Sequence, residues 1–274
     1  LRISKRFTGP PLSSDPSDIP LTNLSKILNL KPGGMAAVMG AGGKATLTKR
    51  LVIEYVEEGT PVLVTRTTNL RSLENWTDPA LLLSEADREK ASDAARKWAA
   101  RGAIVWVENK LPENIFLRIP VKQVEPLHTM GAESVLIVKT DGARKRLIKA
   151  PAKKEPVIPC GVTHCLLVLG LNAIGQRASP DIVFRFETSC QIAGFEEGQS
   201  IEACHLATLA GHPESYPARL PAKASRILYL SHANSPDRLR LAREVCSAVP
   251  EGIFNICVAG DSIKGLFHII REEK

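Results

Sequence analysis

Short apolar runs alternate with helix-period segments along most of the chain. Residues 35–39 form an apolar run of strand type, and Leu47, Leu51, Val52, Tyr55 and Val56 then recur on one face of a helix that stops near Gly59. Residues 61–67 read as a second buried strand with hydroxyl groups at its carboxyl end. A strand, a helix and another strand joined by short turns make a βαβ unit, which builds a parallel sheet. Strands are also expected at residues 103–107, 134–138, 166–169, 227–230 and 253–258, and helices at 24–28, 201–209 and 237–249. The Ala, Leu, Glu, Lys and Arg of residues 79–101 read as one or two helices, and residues 111–130 are expected to contain a helix before Gly131. Fold class is therefore α/β, a mainly parallel sheet flanked by helices. Residues 1–21, rich in Pro and Ser, read as an arm, and 22–274 as one domain.

Bulk properties narrow the function less. The 274-residue chain is 44% hydrophobic and 24% charged, as in ordinary soluble globular proteins, and its net charge of +7 favours an anionic partner. With only 5% aromatic residues and no aromatic-interleaved basic run, nucleic acid is disfavoured against phosphate-bearing small molecules. Its longest apolar run, residues 165–174, is too short for a membrane span of ~20 residues. Cys160, Cys165, Cys190, Cys204, Cys246 and Cys257 are too sparse for a disulfide framework and suit the cytoplasm or another reducing compartment. An organelle interior fits if the absent initiator Met reflects transit-peptide removal. Cys160, His164 and Cys165 read as core and loop residues in preference to metal ligands, because no second Cys/His pair follows at zinc spacing.

The candidate chemistry sits in Gly40, Ala41, Gly42, Gly43 and Lys44, between the first strand and its helix. Glycines let successive N–H groups turn toward phosphate oxygens, the helix start adds unpaired N–H groups, and Lys44 adds a full charge. A strict Walker A loop needs glycine at position 38 and a hydroxyl at 45, where this chain has Val38 and Ala45, and Thr46 lies about 100° further around the helix. The competing reading is a glycine turn that merely packs closely. Thr67 would lie on the same rim, beyond the carboxyl ends of parallel strands, where such sheets bind ligands. Asp141, at the end of the 134–138 strand, suits a magnesium or water contact or a simple turn, and the basic loop 144–154, with Arg144 and Lys149, suits a phosphate-facing lid or a solvated charge run.

Several motifs in order, over residues 22–260, resemble those of the YqeC-like proteins. Residues 40–46, GAGGKAT, resemble the family's GAGGKTT, and residues 62–69, VLVTRTTN, its VLVTTTTK. Most specific is the block formed by Asp141 to Arg144, Lys149 to Ala152 and Glu155 to Pro159, which is similar to ADGAR, KAPA and EPVIP; residues 170–175 and 212–221 also have counterparts. The resemblance implies a P-loop NTPase-like three-layer sandwich and a nucleotide-binding accessory protein for molybdenum hydroxylases that contain selenium. ATP or GTP with Mg²⁺ would be the cofactor, Asp141 would act in catalysis and metal binding, Arg144 or Lys149 would neutralise phosphate charge, and any turnover would be weak NTP hydrolysis. Against the family pattern, Ala45 replaces threonine, Lys139 stands where glutamate is usual, and residues 230–234, LSHAN, replace a guanine-reading LNKxD. A second reading follows: a degenerate relative that binds no cofactor and serves as an interaction subunit, docking through residues 1–21 and the basic loop 144–154.

Overall fold

The structure, a computed structural model, describes residues 20–68, 118–125 and 133–273, together with the backbone of short strands between 70 and 116. Its strands in chain order are β1 (Met35–Gly40), β2 (Val62–Arg66), β3 (Leu70–Arg71), β4 (Ala80–Ser84), β5 (Ala103–Val107), β6 (Lys110–Leu111), β7 (Ile115–Phe116), β8 (Val135–Lys139), β9 (Ile148–Lys149), β10 (His164–Gly170), β11 (Val183–Phe184), β12 (Ser225–Ser231), β13 (Ile256–Asp261) and β14 (Leu266–Glu272). The helices are α1 (Leu24–Leu28), α2 (Lys44–Glu57), α3 (Phe186–Ala193), α4 (Ala203–Gly211) and α5 (Pro236–Ala248).

A nine-stranded sheet in the order β14-β13-β12-β10-β1-β8-β2-β5-β4 organises the chain. All of its pairings are parallel except β13 with β14. Side chains alternate between two cores, as the pleat requires. Met35, Ala37, Met39, Leu167, Leu228 and Leu230 face one side, where α4 and α5 contribute Leu206, Leu209, Ala242 and Val245. Ala36, Val38, Val62, Val64, Val135 and Ile137 face the other, against Leu24 and Leu28 of α1 and Leu47, Leu51 and Tyr55 of α2. Because both faces are covered, the strands read as continuous apolar runs. The result is the expected three-layer α/β sandwich.

One expectation changes. Residues 80–84 pair with β5 as a strand and are not helical; the remainder of 79–101 lies outside the described residues. Ala and Leu favour helix only by tenths of a kcal/mol each, which a sheet pairing overrides. Within 111–130, the described residues form strand ends, a 3-10 turn at Val121–Gln123 and helical residues at 124 and 125, where a helix before Gly131 is expected; residues 126–130 lie outside the described residues. Residues 1–19 of the expected arm also lie outside the described residues. Leu21 makes an antiparallel bridge to Phe267, donating its N–H to the Phe267 carbonyl at 2.7 Å and accepting at 2.9 Å.

Candidate functional site

β1 ends in a turn that only glycine accommodates. Gly40, Gly42 and Gly43 all have positive φ, and a Cβ on Gly42 would stand 2.6 Å from the Leu147 carbonyl oxygen and 2.7 Å from Gly170 Cα. Ala41 is buried, and its N–H bonds the Val168 carbonyl at 2.9 Å. The turn is therefore wedged against the carboxyl end of β10, while Ser231 at the end of β12 hydrogen-bonds the Gly42 carbonyl. Close packing on one side leaves the N–H groups on the other unengaged. Among the described residues, the N–H groups of Gly42, Gly43, Lys44, Ala45 and Thr46 meet no acceptor, as expected of a helix start.

Behind the turn lies a buried ionic cluster. Asp141 is 0% exposed. Its Oδ1 is 2.7 Å from Lys44 Nζ, and its Oδ2 is 2.8 Å from Lys149 Nζ. Oδ2 also accepts from the Gly40 N–H at 3.0 Å, and Lys44 donates to the Gly40 carbonyl. Lys149 donates further to the Gly142 carbonyl at 3.0 Å and to Glu155 at 2.9 Å, and Arg185 holds the same Glu155 oxygen at 2.9 Å. Burial would lift the Asp141 carboxyl, but the ammonium groups of Lys44 and Lys149 outweigh it and hold it below the usual carboxylate range. Burial lowers Lys44 despite the pull of Asp141, and the charge of Lys149 works in the same direction. Both lysines share the Asp141 carboxylate, but Lys149 also has the Glu155 carboxylate, whereas Lys44 has beyond it only the Gly40 carbonyl.

The sequence-derived site residues thus divide. Gly40, Gly42, Gly43, Lys44, Asp141 and Lys149 meet at one rim. Lys149 belongs neither to a lid nor to a solvated run: it sits in β9, paired with β11, and is fully buried. Arg144 is exposed, its guanidinium 5.4 Å from the Phe184 ring centroid. Thr67 commits its hydroxyl to the Val157 carbonyl at 2.9 Å. Ala45 and Thr46 are exposed on the first turn of α2. Outside the rim, His164 places its ring nitrogens 2.9 Å from Thr163 Oγ1 and 3.1 Å from the Leu28 carbonyl, in keeping with a structural histidine.

Magnesium asks for several oxygen ligands in octahedral array. Position 45 offers a methyl group, and Asp141 is held between two ammonium groups. Among the described residues no group of three or more His, Cys, Asp or Glu is placed to hold a metal ion. Among the described residues these do not make a magnesium set, whereas free amides beside cations are the kind of donors that phosphate oxygens accept from.

Arg66, Glu155 and Ser231 were not singled out from sequence as site residues. Arg66 was legible as a charge ending a buried strand; Glu155 and Ser231 are brought in only by the fold.

A family model described as "YqeC protein" matches residues 36–187, more than half of the chain. The chain is also 25% identical over 201 residues to "Uncharacterized protein YqeC" of Escherichia coli strain K12, covering 71% of this chain and 74% of that protein.

Proposed function

The chain belongs to the YqeC family, and from that footing we propose that it binds the phosphate chain of a nucleotide, ATP or GTP, at the α2 N-terminus. The observation that carries this reading is the row of unengaged N–H groups from Gly42 to Thr46 beside Lys44 and Lys149. Amides at a helix start and adjacent cations are the ordinary physical means of holding phosphate. Asp141 orders the rim by holding both lysines and the Gly40 amide, so it acts as a positioning residue. That carboxylate is committed to the two lysines, so it is not free to activate water, and the role proposed is nucleotide binding. Assistance to the maturation of selenium-containing molybdenum hydroxylases is the wider role that the motif resemblance supports.

Calorimetric titration with ATP and GTP, with and without Mg²⁺, tests this. We expect binding whose affinity changes less than about threefold with Mg²⁺, and a loss of roughly tenfold or more in Lys44→Ala, the scale of one charge-assisted hydrogen bond. Absence of binding by either nucleotide, or full binding by Lys44→Ala, would overturn the proposal.

A further inference from the structure

Positive charge on this rim extends beyond the phosphate loop. Arg66 ends β2 and Lys139 ends β8, and the two are register partners. Paired positions on neighbouring strands project to the same face of the sheet. Arg66 shares the alternation of Val62 and Val64, and Lys139 that of Val135 and Ile137, so both stand on the face that carries α2. They stand at the carboxyl end of the sheet, where the first turn of α2 also lies.

Arg66 is only 7% exposed, and its Nη1 is buried with no hydrogen-bond partner among the described residues. Burial lowers its guanidinium to about 10, which leaves it charged at neutral pH. A buried donor left without an acceptor costs about 1–3 kcal/mol, and more on a charged group. The neighbourhood supplies little compensation: of the groups acting most strongly on Lys139, Arg66, Lys44 and Lys149 are cations, and the anion is Asp141, already shared by Lys44 and Lys149. An orphaned guanidinium nitrogen beside the half-buried Lys139 is a donor set waiting for oxygen atoms. Guanidinium presents a planar fork that matches an oxyanion, and the ammonium adds a point charge.

We infer that Arg66 and Lys139 form a second anion subsite, one that takes the oxygens of a phosphate group beside the start of α2. The phosphate arrives either as the free ion or as the end of a phosphate chain whose other groups lie on the loop. The inference stands on the ends of β2 and β8 and does not require that the loop bind nucleotide.

The test uses the full chain, with inorganic phosphate as one probe and ATP as the other, in wild type, Arg66→Met, Lys139→Met and Lys44→Ala. Phosphate should bind the wild type and raise its melting temperature. Arg66→Met and Lys139→Met should each melt cooperatively at or above the wild-type temperature without phosphate, because one of two neighbouring like charges is gone. Each should weaken phosphate binding by roughly tenfold or more, the scale of a lost charge-assisted hydrogen bond. A parallel loss of ATP affinity assigns the subsite to the end of the nucleotide's phosphate chain; unchanged ATP affinity assigns it to a separate ion. Retained phosphate binding in both Met variants, or none in wild type, overturns the inference. Should ATP fail to bind while phosphate binding depends on Arg66, the nucleotide reading falls and the subsite stands.

Discussion

Replacing Asp141 by Asn tests whether one carboxylate organises the rim. The amide preserves shape but leaves the ammonium groups of Lys44 and Lys149 buried without the anion that now lies 2.7 and 2.8 Å from them. Breaking a buried ion pair from one side costs about 3–5 kcal/mol. For a chain of this size, at about 2–4 °C per kcal/mol, melting should fall by roughly 6–20 °C. The pH dependence carries the sharper signature. In the wild type the Asp141 carboxyl is depressed, so its stabilisation is present above the unfolded carboxyl value of about 3.9 and is lost only as pH falls through the still lower folded value. In the variant the uncompensated charge is that of lysines. Lys44 is already lowered by burial, so the folded variant should bind fewer protons than the unfolded chain as pH rises toward the lysine range. The deficit should therefore shrink over the interval from neutral pH up to the lysine range. Scanning calorimetry of both proteins across that interval measures it. A loss below about 2 °C, or a deficit that grows with pH, would refute the assignment of Asp141 as the shared counter-ion.

Three further outcomes are expected. Gly42→Ala puts a Cβ 2.6 Å from the Leu147 carbonyl oxygen at a φ of +72°, so it should lower stability by about 1–3 kcal/mol in urea unfolding; an unchanged midpoint would show that the turn is looser than described. Ala45→Thr restores a hydroxyl on an exposed first turn, yet Asp141 remains committed, so calorimetry should still find nucleotide binding indifferent to Mg²⁺. Lys139 is pushed down to about 7 by burial, then by the charges of Arg66 and Lys44. Its folded value lies below its unfolded one, so the penalty is complete at acid pH. The stability gained by Lys139→Met should thus be largest below about pH 7 and should fade toward the lysine range, as melts of the two proteins across pH would show.

The sheet and its two helical layers were legible because β1, β2, β8, β10 and β12 are covered on both faces and must be apolar throughout. The glycine turn was legible for the same local reason that it folds. What escaped depends on distant partners. Nothing in residues 144–154 distinguishes Lys149 from its exposed neighbours Lys153 and Lys154, since its burial is decided by β11 and by Glu155 and Asp141. Thr67 looked available as a hydroxyl at a strand end, but the Val157 carbonyl, far along the chain, claims it. Residues 80–84 looked helical because Ala and Leu are good helix formers, and only pairing with β5 makes them a strand.

The bridge between Leu21 and Phe267 bears on how the protein behaves in company. β14 is the last strand on its side of the sheet, joined antiparallel to β13, and such a border exposes backbone donors and acceptors to any passing chain. Leu21 caps one rung of that border with a reciprocal pair of hydrogen bonds, close to the exposed side chains of Leu266 and Ile263. A chain cut to begin after Leu21 would keep its rim chemistry but offer Phe267 as a template for strand addition. Its first failing would be self-association at high concentration, before any loss of the rim's structure.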